Sequence, residues 1–312
     1  MAAPQLSPQR YRSVCVMALA LLCLIVVTGA AVRLTGSGLG CDDWPNCNDR
    51  QLIDVSSKHA AIEQVNRLFT GLVALAVILA VLGSLVRRPR RRDLTILSLG
   101  LVAGVVGQIV LGGITVLVDL HPAAVQAHFV LSMVLVANGV VLVHRAGRVD
   151  GAPTTPISPA LRRHLRLCVA ATAASILFGT VVTGAGPHAG DEEARRFALA
   201  ISTAARVHSV AVWIAVAAMA ALMYRLRRRP RDRVVLDGPI TVWLCLAVAQ
   251  GAIGYLQYFT GVPAALVAAH VAGATALWVA TVWMLVVSDA VPTGSEADQM
   301  SAAIPASSAL SR

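Results

Sequence analysis

The chain has 312 residues, of which 57% are hydrophobic and only 13% are charged. A soluble domain typically carries about 25% charged residues, so this chain has too little polar surface to cover a water-soluble globule of its size. Its mean hydropathy of +0.71 also indicates a protein that is not water-soluble. Because the apolar residues form continuous runs and do not alternate with polar ones, the composition predicts a helical integral membrane protein and disfavours a transmembrane barrel.

Eight apolar runs of about 20 residues predict eight transmembrane helices, and therefore an all-α fold. In chain order they cover residues 14–32, 62–86, 94–118, 124–143, 167–185, 203–224, 237–258 and 264–287. The first run follows Arg10 and Arg12, as a cleaved signal peptide would. However, its final Val-Val-Thr-Gly at 26–29 returns at 181–184, at the end of the fifth run, which favours a retained helix.

The basic residues predict the orientation of these helices. The net charge of +10 would suggest nucleic acid as partner of a soluble protein. Here 19 of the 26 basic residues lie near the termini and in the connectors 87–92, 145–166 and 225–233. Eight spans place these segments on one side, which the positive-inside rule assigns to the cytoplasm. We expect a multi-pass cell-membrane protein with cytoplasmic termini, outward-facing loops at 33–61 and 186–202, and no nucleic-acid partner.

An internal repeat organises the chain. The same 142 residues separate three pairs of polar residues, whereas 155 residues separate the two Val-Val-Thr-Gly copies. The pairs are Asn66 and His208, Gln108 and Gln250, and His128 and His270. The 13-residue difference places an insertion in the first outer loop. We therefore expect two four-helix bundles related by a pseudo-two-fold axis along the membrane normal, because an even number of spans gives both halves the same orientation.

The repeat also predicts the domain boundaries. We expect a cytoplasmic N-terminus at 1–13, an N-terminal half at 14–143, a cytoplasmic linker at 144–166 and a C-terminal half at 167–287. Residues 288–312 are small, polar and without periodicity, so we expect a disordered cytoplasmic tail.

Three histidines lie within predicted spans at similar depth below the outer surface: His128, His208 and His270. A single histidine on an apolar helix is usually a hydrogen-bonded core residue, but the matched depth and the repeat favour a shared function. Two neutral imidazoles from facing helices are typical axial ligands of a b-type haem. His208 and His270 are the candidate pair. A zinc or copper site is the alternative, although the spans offer no thiolate or carboxylate beside them.

The first half departs from this symmetry at Glu63, Asn66 and Arg67, which share a helix face because of their i, i+3, i+4 spacing. Asn66 stands at the position of His208, and Glu63 at that of Ala205. A charge at the centre of a span costs about 2.5–3.5 kcal/mol, so Glu63 needs a partner or a function. Two interpretations remain open. One is a salt bridge with Arg67, and the other is an acid beside a substrate pocket, with Arg67 available to a propionate or another anion.

Cys41 and Cys47 lie in the first outer loop with five residues between them. On the oxidising side of a membrane, this spacing favours a disulfide over metal binding. A structural staple and a redox-active pair are equally compatible with it. The other four cysteines lie in apolar runs, where cysteine usually acts as a small hydrophobe.

Four features resemble the haem A synthase family over nearly the whole chain. They are the loop string RLTGSGLGCDDWPNC, the helix string IEQVNRL, the HPAAVQAH segment ending at His128, and the repeated halves with His208 and His270. The GLGCDDWPNC stretch is highly specific. The resemblance implies that His208 and His270 ligate haem b in the C-terminal half. It also implies a substrate haem in the N-terminal half, with His128 as an axial ligand and Glu63 as the catalytic carboxylate.

Asn66 is a departure from the resemblance, because many family members have a histidine there. The second axial ligand of the substrate haem is therefore open. His59, one turn before Glu63, is a substitute if the helix extends outward that far. An open iron position is also chemically sensible, since oxidation requires access for oxygen or water.

The resemblance implies a reaction as well. Proteins of the family oxidise the methyl group on carbon 8 of haem O to a formyl group, giving haem A for cytochrome oxidase. We expect successive hydroxylations to a gem-diol that loses water, with Glu63 orienting or deprotonating water and haem b carrying electrons. The Cys41/Cys47 loop would cover the outer mouth of the site. The implied partners are haem O, haem O synthase, oxidase assembly factors, an electron partner and membrane lipid.

Two other classes of function remain: a bis-haem electron-transfer cytochrome and a haem carrier. The presence of Glu63 opposite Ala205 favours an enzyme, because electron transfer alone needs no acid in one half only.

Overall fold

The computed structural model describes residues 5–149, 154–155, 157–289 and 291–292. Within these ranges it contains eight α-helices and one antiparallel pair of two-residue strands. The helices are α1 Pro8–Leu34, α2 Lys58–Val86, α3 Arg92–Leu117, α4 Pro122–Ala146, α5 Pro159–Ala185, α6 Ile201–Leu226, α7 Pro230–Phe259 and α8 Ala264–Val287; the strands are β1 Thr154–Thr155 and β2 Val291–Pro292. Most of the tail predicted to be disordered, 293–312, lies outside the described residues.

All eight helices are long and apolar enough to cross a membrane. This confirms the predicted all-α membrane fold and the number of spans. Most helices extend beyond the apolar runs, because their ends are polar capping residues that hydropathy does not detect. For example, α1 begins with Pro8 in its first turn, and the Ser7 side chain accepts a hydrogen bond from the backbone N–H of Arg10.

The four most extensive helix pairs, α1 with α2, α3 with α4, α5 with α6 and α7 with α8, each lie within one half of the chain. In the first half, α1 packs on α2 and α4, and α3 packs on the same two helices. In the second half, α5 packs on α6 and α8, and α7 packs on α8 and α6. The seam between the halves is built from α1, α4, α5 and α8. The pseudo-two-fold axis between the halves stays a prediction.

Two hydrogen bonds tie this seam together. The indole N–H of Trp278 on α8 donates to the carbonyl oxygen of Met133 on α4 at 2.8 Å. On the neighbouring pair of helices, the Gln126 amide of α4 donates to the Thr180 hydroxyl of α5, also at 2.8 Å. In an apolar medium such bonds fix the rotation of each helix about its axis, and therefore which residues face inward.

The basic connectors lie at one end of the helices. Leu6 exchanges backbone hydrogen bonds with Val86 and Arg88, which brings the N-terminal segment to the α2–α3 connector. At the same end of the second half, Arg162 forms an ion pair of 2.8 Å with Asp289. The opposite end therefore carries the loop 35–57 and the segment between α5 and α6. The assignment of the basic end to the cytoplasm stays a prediction.

Candidate functional site

His208 on α6 and His270 on α8 face each other in the second half of the chain. Their ring centres are 6.4 Å apart and the ring planes meet at 84°. Each lies six or seven residues from the start of its helix, as does His128 on α4. The similar depth predicted for the three histidines agrees with these positions.

The second half fixes the tautomer of His208. Its Nδ1 lies 2.9 Å from the carbonyl oxygen of Ser175 on α5, and because a carbonyl oxygen only accepts, Nδ1 carries the proton. The lone pair of the imidazole is therefore on Nε2, where a metal ligand needs it. Such a bond from the distal ring nitrogen is the usual way in which a protein orients a metal-binding histidine.

The spacing of the two rings fits one iron atom between them. A bond between a metal ion and an imidazole nitrogen is about 2 Å long, so two imidazoles on opposite sides of one ion have ring centres about 6 Å apart. The observed 6.4 Å agrees. Among the described residues, no group of three or more histidine, cysteine or acidic residues could hold a metal ion by itself. A haem, which brings its own four nitrogen ligands, needs only this pair.

Glycines on neighbouring helices receive the three imidazoles. A Cβ atom at Gly179 on α5 would lie 3.2 Å from Cε1 of His208, and one at Gly254 on α7 would lie 3.3 Å from Cε1 of His270. In the first half, a Cβ at Gly112 on α3 would lie 3.4 Å from Cε1 of His128. A Cβ at Gly179 or Gly254 would press on the imidazole, whereas one at Gly112 would be at the limit of ordinary van der Waals contact.

These glycines were missed by reasoning from the sequence, although a signal was present. Gly112 and Gly254 are separated by the same 142 residues that separate His128 and His270. Each histidine of that pair therefore has its glycine in the same register. The hydrogen bond from His208 to the Ser175 carbonyl had no such signal, because any residue supplies a carbonyl oxygen.

The surroundings of His128 are built by α3. The Gln108 side-chain amide donates to the backbone carbonyl oxygen of His128 at 3.1 Å and to the Ser132 hydroxyl at 2.8 Å. Nδ1 of His128 is buried without a hydrogen-bond partner among the described residues. The repeat residue Gln108 thus holds the helix turn that carries the histidine.

Glu63 and Arg67 form the salt bridge that one interpretation of the sequence described. Arg67 donates from Nη2 at 2.7 Å and from Nε at 3.0 Å, both to Oε1 of Glu63. The second oxygen, Oε2, accepts the backbone N–H of Cys41 at 2.8 Å. The Glu63 side chain is only 9% exposed, so both of its oxygens have partners inside the protein. Its predicted catalytic role stays a prediction.

Arg67 also fastens the outer loop to α2. Its guanidinium donates to the backbone carbonyl oxygens of Asn46 at 3.0 Å and Asp43 at 3.2 Å. One side chain on the helix therefore holds two points of the loop between the cysteines. This use of its donors favours a role in ordering the loop over free capture of a propionate.

Cys41 and Cys47 form the predicted disulfide. Both sulfur-bearing residues are buried, at 0% and 1% exposed. Gly40 precedes the bond at a point where the loop touches the start of α2, and a Cβ there would overlap the backbone of His59 and Ala60. The loop therefore needs a glycine at this position.

The tip of the loop reaches α3 and a polar turn. The Trp44 ring lies against Gly113, where an added Cβ would come within 2.6 Å of its Cδ2. Further along, the Asn48 amide donates to Asp54 at 2.8 Å. Hydrogen bonds from Ser56 hold the pKa of the Asp54 carboxyl below its usual value. The loop is thus tied at both ends.

His59 lies within α2, which begins at Lys58, so the helix does extend outward that far. Its Nδ1 is 2.9 Å from the Ser37 hydroxyl. Seven residues separate it from Asn66, which is about 10 Å along a helix axis. His59 therefore contacts the outer loop through Ser37 and does not lie level with Asn66.

Comparisons with known proteins agree with this arrangement. The model of the COX15-CtaA family, described as cytochrome oxidase assembly protein, matches residues 12–64 and 50–282. A protein named Heme A synthase from Lysinibacillus sphaericus (strain C3-41) is 29% identical over 166 residues, which is 52% of either chain. Proteins of the same name from Bacillus cereus (strain AH187) and Bacillus anthracis (strain CDC 684 / NRRL 3495) are 30% identical over 122 residues, 39% of either chain.

The matched part of the chain spans about half the length of the first of these relatives and about two fifths of the others. The family model, by contrast, covers both halves of the chain, including the loop with the cysteines and all three histidines. The chain therefore belongs to the COX15-CtaA family, the family of the haem A synthases.

Proposed function

We propose that this protein is a haem A synthase of the cell membrane, an oxidoreductase that converts the C8 methyl group of haem O to a formyl group. The observation that carries the proposal is the chemical difference between the two halves. One half pairs His208 with His270 at the spacing of two axial ligands. The other half keeps His128 but has a buried carboxylate, Glu63, where its counterpart is Ala205.

The second half is the proposed site of haem b. His208 and His270 would be its axial ligands, with the Ser175 carbonyl oxygen orienting the first of them. When bound there, haem b supplies one-electron transfer. Gly179 and Gly254 leave room for the two rings, since an added Cβ at either position would lie within 3.4 Å of an imidazole.

The first half is the proposed site of the substrate, haem O. His128 would be an axial ligand, and Glu63 would orient or deprotonate a water molecule beside the methyl group. Arg67 and the Cys41 N–H hold the Glu63 carboxylate in one orientation, one helical turn from Asn66. The disulfide loop would cover the outer mouth and exclude bulk water.

The reaction replaces two hydrogens of the methyl group by one oxygen atom. Successive hydroxylations to a gem-diol, followed by loss of water, give the formyl group. With water as the oxygen source, four protons and four electrons must leave, so the reaction needs a membrane electron carrier as oxidant, and a haem held by His208 and His270 would supply the route for these electrons. We propose haem O synthase as the supplier of the substrate and oxidase assembly factors as receivers of the product.

The proposal is tested by producing the chain in a host that makes haem O but has no haem A synthase of its own. Chromatography of the extracted pigments should show haem A together with haem B. The control is the His208→Ala, His270→Ala double variant, which should lose the low-spin bis-histidine spectrum. Haem B alone in the purified wild-type protein would support an electron-transfer cytochrome, and unaltered haem O released to an acceptor protein would support a haem carrier.

A further inference from the structure

Position 66 is where the two halves differ in the ligand they offer to an iron atom. Asn66 on α2 stands in the register of His208 on α6, 142 residues later. The side-chain amide nitrogen of asparagine has no free lone pair for a metal, unlike the imidazole Nε2. The first half therefore lacks the second nitrogen ligand that the second half has.

The side-chain oxygen of Asn66, Oδ1, is buried without a hydrogen-bond partner among the described residues. The hydroxyl of Thr70 lies nearby but donates to the backbone carbonyl oxygen of Asn66, at 3.2 Å. A buried polar group without a partner is rare in a folded protein and calls for an explanation such as a ligand.

The first half also lacks the glycine that leaves room for a second imidazole. The two Val-Val-Thr-Gly copies are 155 residues apart, so Leu24 in the first half corresponds to Gly179 in the second. Gly179 is the glycine that lies against the His208 ring. The support of His128 is retained, because Gly112 corresponds to Gly254. The first half thus keeps the surroundings of one imidazole ligand and has replaced those of the other.

The two other histidines near this end of the first half are used elsewhere. Nδ1 of His59 lies 2.9 Å from the Ser37 hydroxyl, and Nδ1 of His121 accepts the backbone N–H of Ala123 at the start of α4. His121 precedes His128 by seven residues, about 10 Å along a helix axis. His59 therefore does not lie level with Asn66, and His121 does not lie level with His128.

We propose that the first-half haem is bound through His128 alone, and that Asn66 lies on the open side of its iron, where its unpaired Oδ1 would accept a hydrogen bond from a bound water or hydroxide. This inference rests on the proposed function, because it assumes that the first half binds haem O. It adds a prediction that the proposed function does not make. The first-half haem should be high-spin and accessible, and the second-half haem low-spin and closed.

The test is electron paramagnetic resonance of the purified ferric protein, isolated from cells that make haem O, during titration with cyanide. We expect a high-spin signal that disappears as cyanide binds and a low-spin bis-histidine signal that does not change. Asn66→His should replace the high-spin signal by a second low-spin one and abolish cyanide binding. The reciprocal variant His208→Asn should give the second half a high-spin haem that binds cyanide.

A third variant isolates the hydrogen bond. Asn66→Leu keeps the size of the side chain and removes its amide oxygen, so the high-spin signal should remain while cyanide, which displaces a less stabilised water, should bind about fivefold to tenfold more tightly. Unchanged cyanide affinity in this variant would refute the acceptor role. If the Asn66→His protein does not accumulate, the cyanide titrations of the Asn66→Leu and wild-type proteins still test the inference.

Other outcomes would contradict the proposed binding of the first-half haem through His128 alone. A wild-type protein with two low-spin haems, or with no haem in the first half when haem O is supplied, would contradict the inference. These spectroscopic measurements need no turnover, so they test this inference separately from the proposed function. An open high-spin haem in a protein that makes no haem A would refute only the synthase activity, and haem A formation by a protein with two closed haems would refute only this inference.

Discussion

The carboxylate of Glu63 accepts the backbone N–H of Cys41 at 2.8 Å, which joins helix α2 to the first cysteine of the outer disulfide. The same carboxylate pairs with Arg67, whose guanidinium holds the loop at Asp43 and Asn46. The salt bridge and a catalytic function are therefore not exclusive alternatives for Glu63. A closed loop fixes the position of the acid, and the acid holds the loop closed.

Glu63→Gln should separate these two functions. The amide oxygen can still accept the Cys41 N–H, but the variant has no charge to pair with Arg67 and no basic oxygen. We expect a folded protein that keeps the His208/His270 spectrum and makes haem A at least about 100-fold more slowly, the usual contribution of a positioned acid or base. Haem O or a hydroxylated intermediate should accumulate. Haem A formation at the normal rate would reduce Glu63 to a partner of Arg67.

Arg67→Gln tests the loop without removing the acid. The variant loses the donors to Asp43 and Asn46, and we expect the loop to become more mobile while the spectrum of the second-half haem is retained. The measurement is limited proteolysis of the 35–57 segment, which should be cleaved faster than in the wild-type protein. Equal cleavage rates would show that the disulfide alone orders the loop.

The disulfide itself should act as a staple. Both cysteines are buried in the closed loop, and access of an attacking thiol is required for exchange. We expect the Cys41→Ser, Cys47→Ser variant to lose about 2 kcal/mol of stability in the loop, the entropy of so short a ring. It should retain measurable haem A formation at low temperature. Complete loss of activity in a variant whose loop resists proteolysis normally would instead indicate redox chemistry.

Gly254→Ala should weaken haem binding in the second half. The added methyl group would lie 3.3 Å from Cε1 of His270, so the imidazole must move by a few tenths of an ångström. Overpacking of this kind costs about 1–3 kcal/mol. Gly251→Ala, one turn earlier on α7, is the matched control because an added Cβ there meets nothing within 4 Å. Equal haem retention in the two variants during detergent washing would contradict the tight contact.

Much of the fold could be predicted from the sequence, because each span is a long apolar run whose hydropathy needs no tertiary context. The pairing of His208 with His270 could be predicted as well, since both histidines lie at a similar depth in predicted spans of the same half. The contacts of the outer loop could not be predicted. They depend on close backbone approaches, such as that of Gly40 to His59, and on carbonyl oxygens that leave no trace in residue type.

The partners of Arg67 could not be predicted from the sequence either. Its position relative to Glu63 indicated a salt bridge or a free cation for a propionate, and spacing alone favoured neither. The choice depended on whether loop carbonyl oxygens lie within reach of the guanidinium. That information comes from the path of residues 41–47, which no local pattern describes.

The central claim is tested most directly by mass spectrometry of the haem extracted from the wild-type protein after production in a haem O-forming host without its own haem A synthase. We expect a haem that has gained one oxygen and lost two hydrogens relative to haem O, with fragmentation placing the change at the C8 methyl. The Glu63→Gln protein from the same host should yield haem O or a hydroxylated haem. Unmodified haem O from a wild-type protein whose His208/His270 site carries its low-spin haem b would contradict the account.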